Sequence, residues 1–458
     1  MTSDTYNIIV ATQTSSVKQL PPGPPHHWLL GNLREVRKGR LGFYTHCART
    51  YGPVTLIRFL RRQVYLISDP AGIENILVNN SRSYIKHFAL RMNPLVLGEG
   101  LLTSSGDFWL RQRRLMQPAF LREQVASYAS IFVELAAQRR DAWQPGSPRD
   151  IMQDMMNLAL EIAARTLFDA RIDEDGAQVK LALDTFQETF QSRFGLMMLF
   201  PTWFPTPANL RARFAVRRLD RIIYRFIEER RRTQGTRRDL LSLLLAARDE
   251  DTGRTMTDKQ LRDEAVTLFL AGHETTALTL SWAWYLLATH PDAQATLLAE
   301  VDALGGRLPG VDDLPALRYT EQVVMETMRL YPPAYVVGRE AIEEVEVCGY
   351  RAPPGMTFIM SQWVMHRDPR FWEEPDRFVP ERWENNLQGR LPRIVYFPFG
   401  AGPRQCIGNM FALMETVLVL ATLAQRWRFT VQAGFRAEPA AIFTLRPRDG
   451  IPATMTLR

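Results

Sequence analysis

The stretch Phe399-Gly-Ala-Gly402-Pro-Arg404-Gln-Cys406-Ile-Gly408 lies near the end of the chain and decides how the rest of the sequence is interpreted. It sets one thiol between glycines, two residues after a guanidinium. The glycines at 402 and 408 let the backbone turn tightly and approach a flat ligand without a Cβ in the way. The alternative is that Cys406 is a small buried hydrophobic residue, as isolated cysteines of large proteins usually are.

The sequence after this stretch favours a helix that begins just beyond Cys406. Residues from Met410 to about Arg426 are good helix formers without glycine or proline. Backbone N–H groups and the positive end of the helix dipole stabilise a thiolate there and lower its pKa. Arg404 supplies a cation for a carboxylate or phosphate. Because a cysteine thiolate is a known axial ligand of haem, which also carries propionates, the stretch predicts a haem site.

Composition is typical of a large folded enzyme and argues against a disulfide-rich protein, a zinc-binding protein or a nucleic-acid-binding protein. The chain has 458 residues, of which 46% are hydrophobic, enough for a sizeable core. Three cysteines, Cys47, Cys348 and Cys406, are too few for a disulfide framework and lack zinc-site spacing, so we expect a reducing, cytoplasmic location. The net charge is +7, but the basic residues form no nucleic-acid-binding module, and nucleic acid is not an expected partner.

Periodicity predicts a mainly α chain with small β-sheets, forming one domain from residue 21 to 458. Residues 1–20 are mostly polar and are expected to form a flexible leader. No stretch approaches the roughly 20 apolar residues of a membrane span. The predicted strands are Val54–Phe59, Gln63–Ser68, Val345–Tyr350, Thr357–Met360 and Arg428–Val431. The predicted long helices are Met152–Phe168, Ala215–Thr233, Asp239–Arg248, Thr257–Thr289 and Asp292–Ala303.

The longest predicted helix contains a polar patch, Ala271-Gly272-His273-Glu274-Thr275-Thr276, within an apolar run. The small Ala-Gly pair opens space on one side, and Thr275 can hydrogen-bond back to the carbonyl one turn earlier, which loosens the helix locally. Glu274 and Thr275 place an acid next to a hydroxyl, so they form a candidate proton relay into an oxygen site. The alternative is a kink whose polar groups satisfy one another.

Two further motifs contain charged residues in settings that suggest specific partners. Glu326 and Arg329 share a helix face at i,i+3 in apolar surroundings, where charges must be paired, and Arg382 is a candidate third member. Trp109 and Arg113, at i,i+4, can cover one edge of a ligand and donate to an anion. Taken alone, the last two residues also fit an ordinary amphipathic helix.

The four motifs, in this order, resemble those of the cytochrome P450 superfamily of haem-thiolate monooxygenases, of the soluble bacterial type. The cysteine stretch matches that family's Phe-x-x-Gly-x-Arg-x-Cys-x-Gly at all five fixed positions, and 271–276 matches its central-helix pattern. Glu326 and Arg329 match its Glu-x-x-Arg, and Pro380–Trp383 its Pro-Glu-Arg-aromatic element. The likeness runs from about Pro21 to the C-terminus. It implies the cytochrome P450 fold, with haem between the central helix and the helix after the cysteine stretch.

The resemblance implies a role for each motif. Cys406 would be the axial ligand of the iron of a non-covalent haem b, and Phe399 would pack beside the thiolate. Glu274 and Thr275 would be the acid and alcohol that deliver protons to dioxygen. The implied cofactor-binding residues are Cys406, Arg404, Trp109, Arg113, Arg339, Phe399, Gly402, Gly408 and Ala271. The implied structural triad behind the haem is Glu326, Arg329 and Arg382.

The implied reaction is insertion of one atom of O2 into a C–H bond or an alkene, driven by NAD(P)H. The expected electron donors are a separate ferredoxin or flavodoxin and its reductase, with Arg111 and Arg114 as candidates for the docking face. A monomer is expected. Ala271 occupies the position at which some relatives carry a glutamate that attaches haem covalently, so no such ester is expected. His273 either reaches the distal pocket or packs outward.

The substrate is implied only in outline. Family topology would put the pocket walls in apolar, methionine-containing segments, which suit a lipophilic molecule such as a fatty acid, terpenoid or steroid. The implied pocket residues are Phe88, Phe190, Phe194, Met198, Phe269, Ala334, Val336 and Phe443. The alternative is that several of them pack lid helices. Two other functions stay open: a peroxide-driven oxygenase, isomerase or dehydratase, and a non-catalytic haem sensor.

Overall fold

The computed structural model describes residues 20–60, 62–91, 97–169, 204, 206–233 and 239–458, and the structural statements below concern this part of the chain. Helices dominate it. The α-helices are α1 (Leu33–Tyr51), α2 (Pro70–Glu74), α3 (Phe88–Arg91), α4 (Gly106–Met116), α5 (Arg122–Ala126), α6 (Ala129–Ala142), α7 (Ile151–Phe168), α8 (Pro207–Arg232), α9 (Leu240–Ala246), α10 (Asp258–Thr289), α11 (Pro291–Asp302), α12 (Arg318–Leu330), α13 (Gln362–Met365), α14 (Leu387–Arg390) and α15 (Asn409–Ala424). Within this part, no helix is both long and apolar enough to span a membrane.

The strands are short and form small sheets. They are β1 (Val54–Phe59), β2 (Arg62–Ile67), β3 (Tyr84–Lys86), β4 (Pro148–Asp150), β5 (Val337–Ala341), β6 (Val345–Val347), β7 (Tyr350–Ala352), β8 (Thr357–Met360), β9 (Trp427–Val431), β10 (Pro439–Ala441), β11 (Leu445–Pro447) and β12 (Pro452–Leu457). One sheet has the order β1-β2-β8-β5-β3, in which only the β2–β8 pair is parallel. Another has the order β4-β12-β9, while β6–β7 and β10–β11 are separate hairpins.

The central helix α10 organises the core. Thr257 begins it with a capping box, in which Thr257 and Gln260 satisfy each other's backbone N–H groups. The helix then continues for 32 residues, most of them buried. Its residues Leu278 and Trp282 belong to one apolar cluster with Leu158 of α7 and Leu418 of α15. The core therefore fixes α10 against the helix that follows the cysteine stretch.

A buried carboxylate on α10 fixes the position of α4. Glu264 accepts hydrogen bonds from the backbone N–H of Leu101 (2.9 Å) and from Nε2 of Gln112 on α4 (3.2 Å). Burial raises the pKa of Glu264 to about 7. The segment before α4 lies directly on α10, since a Cβ at Gly100 would lie 2.2 Å from Oγ1 of Thr267. These contacts fix the position of α4, the helix that carries Trp109 and Arg113, against α10.

The predicted long helices form, with one large boundary difference. α8 begins at Pro207 rather than at Ala215. The Thr206 side chain caps this start by accepting the N–H of Asn209 at 3.1 Å, and proline is favoured in the first helical turn. A helix start signal therefore precedes the amphipathic pattern on which the prediction depended.

The predicted strand Val345–Tyr350 is wrong. The structure has a hairpin there, in which β6 and β7 pair antiparallel with Val347 opposite Tyr350. The turn residues Cys348 and Gly349 have φ values of 51° and 79°. A two-residue hairpin turn of this kind requires positive φ, which is the conformation that Gly349 permits at little cost.

Candidate active site

Cys406 lies in a loop that is closed by backbone hydrogen bonds. The Cys406 N–H donates to the Phe399 carbonyl at 2.9 Å, and the Gln405 N–H donates to the Gly402 carbonyl at 3.0 Å. Gly402 has φ +69°, and a Cβ there would lie 1.9 Å from the carbonyl oxygen of Leu77. Both the backbone conformation and the close approach therefore require glycine at 402.

Gly408 plays a different part from the one expected. It is the N-cap residue of α15, with φ −93°, and a Cβ there would make only an ordinary contact, 3.7 Å from Phe120. A tight turn therefore does not explain this glycine. Its backbone N–H instead interacts with the Cys406 thiol and acts to lower the thiol pKa.

The Cys406 thiol is free and accessible, so the alternative of a buried hydrophobic residue is wrong. Protein atoms surround it closely enough to desolvate the sulfur, and this desolvation raises its pKa. The Gly408 N–H and the cations Arg113 and Lys86 act in the opposite direction. The lowering effect expected at the start of the helix is present, but desolvation outweighs it, so the predicted net direction is wrong.

Four cations lie near the cysteine loop: Lys86, Arg113, Arg339 and Arg404. In the described part of the chain, none of them forms an ion pair with a carboxylate. Burial, Arg339, Arg404 and Arg113 lower the pKa of Lys86 well below its usual value. Burial and Arg404 lower the pKa of Arg339 to about 9. Because buried like charges are costly unless an anion neutralises them, this cluster is suited to an anionic ligand.

Helix α4 docks on the cysteine loop through its predicted residues. The Arg404 guanidinium lies 4.3 Å from the centroid of the buried Trp109 ring, and it donates to the Ser104 carbonyl at 3.1 Å. Arg113 donates to the Gln405 carbonyl at 2.9 Å. The structure thus brings Trp109 and Arg113 together with Arg404 around one loop.

Glu326 is the centre of a buried polar cluster. Arg329 donates two hydrogen bonds to its carboxylate, both at 2.8 Å, and the two side chains are fully buried. Arg382 is 3.4 Å away, so one acid is shared by two cations. The indole N–H of Trp383 also donates to it at 3.0 Å. Trp383 was not expected in this role, although a buried indole requires an acceptor.

His366 connects this cluster to the cysteine loop. Its carbonyl accepts a hydrogen bond from Arg329 at 2.8 Å, and its Nε2 accepts one from the N–H of Phe397 at 3.0 Å, two residues before Phe399. Burial, Arg329 and Arg367 lower the pKa of His366 to about 3, so its ring is neutral and can accept. The sequence carried no signal for this link, which joins segments far apart in the chain.

The acid and the alcohol of α10 have separate partners. The Glu274 carboxylate is buried and accepts from Oγ1 of Thr444 at 2.6 Å and from Nη2 of Arg446 at 2.5 Å. Thr275 donates to the Ala271 carbonyl at 2.7 Å, as expected for a hydroxyl that bonds back one turn. Among these described residues, no hydrogen bond joins Glu274 to Thr275, and α10 stays continuously helical through the patch.

His273 packs away from the site. Its Nε2 lies 3.1 Å from the Met156 carbonyl on α7, and its ring stacks near Phe269. Of the two positions expected for His273, the structure therefore has the outward one.

The predicted pocket residues are brought together only in part. Phe269 and Phe443 belong to one apolar cluster, whereas Val336 packs with Tyr335 and Leu445. The Arg62 guanidinium lies over the Phe88 ring, with its Cζ atom 4.2 Å from the ring centroid. Ala334 is exposed. The remaining predicted members lie outside the described residues: Phe190, Phe194 and Met198.

Arg111 and Arg114, the candidates for a docking face, have acidic partners of their own. Both lie within 3.7 Å of the buried Asp249 carboxylate, and Arg114 also pairs with Asp251 at 2.7 Å. These ion pairs reduce the positive charge that the two arginines offer to an acidic protein, so the expectation for them is weakened.

The residues present fit a haem. A free, accessible thiol is the donor that a haem-thiolate site needs, and the cations around it have no carboxylate partner in the described chain. Two propionates would neutralise such a cluster. Glycine at 402 keeps the loop close to the segment that contains Leu77.

Comparisons with known proteins agree with this geometry. The cytochrome P450 family model matches residues 21–449. Cyclooctatin synthase of Streptomyces melanosporofaciens is 38% identical over 412 residues, which cover 88% of this chain and 89% of the relative. Pentalenene oxygenase of Streptomyces avermitilis is 36% identical over 426 residues, covering 91% and 93%. Cyclooctat-9-en-7-ol 5-monooxygenase of Streptomyces melanosporofaciens is 36% identical, covering 87% of each chain.

A solved structure has the same fold. The retinoic acid-bound cyanobacterial protein CYP120A1 superposes with a TM-score of 0.85 at 24% identity, covering 96% of this chain and 100% of that one. Together, the matched family model, the relatives over nearly full length and the shared fold identify the chain. It belongs to the cytochrome P450 family of monooxygenases.

Proposed function

We propose that this protein uses haem b, held by Cys406, to insert one atom of O2 into a lipophilic, terpenoid-like substrate. The observation that carries the proposal is the cluster of four cations without carboxylate partners around an accessible thiol. A dianionic, thiolate-ligated cofactor satisfies both features at once. The family membership supports the same conclusion.

The propionates would be held by the cations of α4, β3, β5 and the cysteine loop: Arg113, Lys86, Arg339 and Arg404. Trp109 would support Arg404 by its cation–π contact. When bound, haem supplies the one-electron and oxygen chemistry that side chains lack. The His366 link and the Glu326 cluster would keep the Cys406 loop in a fixed position while that chemistry proceeds.

Glu274 and Thr275 would move protons on the oxygen side of the site. Thr275 can rotate its hydroxyl away from the Ala271 carbonyl, since that hydrogen bond is local to the helix. Glu274 is buried and next to it in sequence, so it is the acid that can exchange protons with this hydroxyl through bound water.

The substrate class is supported by the pocket and by the relatives. Phe269 and Phe443 supply an apolar wall, and apolar walls suit ligands held by surface burial. Two relatives are named for cyclooctatin and pentalenene, which are terpenoids. Electrons would come from NAD(P)H through a ferredoxin or flavodoxin and its reductase.

The carbon monoxide difference spectrum of the reduced protein tests the ligand. We expect the red-shifted band of thiolate-ligated haem in the wild type and in Cys348→Ser, and its loss in Cys406→Ser. Cys348 is the matched control because it is also a free, exposed cysteine. A normal band in Cys406→Ser would exclude Cys406 as the ligand.

Turnover measurements separate monooxygenation from the peroxide-driven alternative. With NAD(P)H, redox partners and a substrate found by a spectral-shift screen of terpenes, steroids and fatty acids, we expect one product per O2 consumed. Product formed only with added peroxide would favour the alternative. Binding of fatty acids but not of terpenes would overturn the substrate class.

A further inference from the structure

The segment that leads into α4, residues 97–105, lies on α10 and is held there by two adjacent carboxylates. Asp263 accepts the backbone N–H of Glu99 at 3.0 Å, and Glu264 accepts the backbone N–H of Leu101 at 2.9 Å. The two acceptors are neighbours on one helix, and the two donors are two residues apart in one segment. The 97–105 segment is therefore attached to α10 at two successive points.

The two carboxylates differ in their surroundings. Asp263 has two cations beside it, Lys259 at 3.0 Å and Arg262 at 2.9 Å. Glu264 is fully buried and forms no ion pair in the described part of the chain. Its side-chain partner is the amide Nε2 of Gln112 on α4, at 3.2 Å. Because a buried carboxylate without a cation is costly to keep charged, the second attachment point is sensitive to protonation.

No described cation offsets the burial of Glu264. Burial raises the pKa of Glu264 to about 7, the like charge of Asp263 acts in the same direction, and the hydrogen bonds from Leu101 and Gln112 act against both. Charged side chains of the elements packed around it have other partners: Asp220 on α8 pairs with Arg262, Arg111 and Arg114 on α4 with Asp249, Glu161 on α7 with Arg139, and Glu99 with Lys259, while Arg113 on α4 donates to the Gln405 carbonyl.

We propose that Glu264 is a proton-dependent latch, which holds the 97–105 segment on α10 when its carboxyl group is neutral and favours release of that segment when it is charged. Gln112 suits both forms, because an amide offers a donor to the carboxylate and, once turned over, an acceptor to the acid. When the segment opens, water solvates the carboxylate and one proton passes to solvent. When it closes, one proton is taken back, and no other group or electron moves.

The latch acts on an apolar part of the site. Leu97 and Leu101 belong to the cluster that contains Phe269, and Leu102 packs against that cluster. Opening of the segment therefore loosens the wall proposed to meet substrate. This consequence rests on the proposed function, whereas the latch itself depends only on the contacts among α10, α4 and the 97–105 segment.

Hydrogen exchange of the 97–105 amides in the haem-loaded protein, followed by mass spectrometry and corrected for the intrinsic exchange rate at each pH, tests the latch. In the wild type, we expect protection to fall by about tenfold per pH unit between about pH 5 and 7, as linkage to one proton requires, and to level off above it. Glu264→Gln keeps the shape but cannot ionise, so its protection should not change with pH. Glu99→Gln is the matched control, since Glu99 is an exposed acid of the same segment, and it should keep the wild-type profile.

Infrared difference spectroscopy detects the proton directly. The spectrum of the wild type minus that of Glu264→Gln should contain the carbonyl stretch of a protonated carboxylic acid at acidic pH. We expect this band to disappear as the pH rises through the folded pKa of about 7. An exposed carboxyl group would lose the band near its ordinary pKa of about 4.3 instead.

Each outcome decides for or against the latch. The same pH profile of protection in the wild type and Glu264→Gln would overturn it, and so would an infrared band that is already lost near the ordinary pKa. If Glu264→Gln does not fold, Gln112→Met carries the test: loss of a donor to the carboxylate should move the midpoint of the band to higher pH, and an unchanged midpoint would overturn the proposal. Failure of the proposed function is distinguishable, because absence of monooxygenation would leave both readouts intact.

Discussion

Arg329 donates a hydrogen bond to the carbonyl of His366 at 2.8 Å, and this contact joins the buried Glu326 cluster to His366. On the other side of the same residue, the His366 ring accepts the Phe397 N–H. The position of Cys406 therefore depends on an ion pair about 80 residues earlier in the chain. This relationship has consequences for stability that can be measured.

Removing the cation from the buried pair should be costly. In Arg329→Met, Glu326 keeps Arg382 but loses two hydrogen bonds in a fully buried position. We expect the free energy of unfolding to fall by about 3–5 kcal/mol, measured by urea denaturation of the haem-loaded protein. Arg377→Met is the matched control, because it breaks an i,i+3 pair that is exposed, and it should cost less than about 1 kcal/mol. Equal losses in the two variants would contradict the argument.

Two glycines of the cysteine loop allow strain to be separated from steric clash. Gly400 and Gly402 have φ values of 70° and 69°, but a Cβ at 400 would meet no atom within 4 Å, while one at 402 would lie 1.9 Å from the Leu77 carbonyl oxygen. We expect Gly400→Ala to cost about 1–2 kcal/mol of backbone strain and to keep the thiolate band. Gly402→Ala should lose more stability and bind haem poorly. Similar haem content in both variants would show that the loop can move away from Leu77.

His366 should make stability depend on pH in the acid range. Its folded pKa of about 3 lies below the usual 6.5, so the unfolded chain binds more protons between these values. Stability is then fully present above pH 6.5 and is lost as the pH falls towards 3, by up to about 1.4 kcal/mol per pH unit. His366→Gln keeps an acceptor for the Phe397 N–H but cannot titrate.

The measurement is urea unfolding of wild type and His366→Gln across this pH range. The difference between the two proteins should grow in favour of the variant as the pH falls. Glu264 acts in the opposite sense, since its folded pKa is raised from 4.5 to about 7, but it is present in both proteins and cancels in the difference. Parallel profiles would show that His366 is not held neutral.

Lys86 should have opposite effects on the haem-free and haem-loaded protein. Lys86→Met removes one of the mutually repelling cations, so the haem-free protein should unfold at a higher temperature. Haem affinity should fall by about tenfold or more if a charge-assisted contact to a propionate is lost. Differential scanning fluorimetry and haem titration measure the two effects. Lys38→Met, an exposed lysine on α1, is the control. A fall in both stability and affinity would contradict the repulsion argument.

The sequence was most informative where partners are close in the chain or where the residue type is nearly obligatory. Glu326 and Arg329 are neighbours on one helix face, and Thr257 begins α10 with a local capping signal. The partners of His366, Glu274 and Lys86 come from distant segments, and only the packed fold brings them together. Local patterns carry no information about such pairs, because tertiary packing decides them.

One error came from backbone conformation rather than from distance. The run from Val345 to Tyr350 has β-forming residues at its ends, which favoured a single strand. Cys348 and Gly349 adopt positive φ instead, and this reverses the chain. A hydrophobicity pattern does not report on φ, so Gly349 was the residue that could have indicated the turn.

The rotational phase of α10 has a final consequence. Successive side chains of a helix point about 100° apart, so His273, Glu274 and Thr275 meet α7, the β10–β11 hairpin and the helix's own carbonyl row, respectively. One residue inserted between Thr257 and Gly272 would turn all three by about 100° and advance them by about 1.5 Å. Glu274 would then be carried away from Arg446. The number of residues between the helix cap and the polar patch is therefore as constrained as the residues themselves.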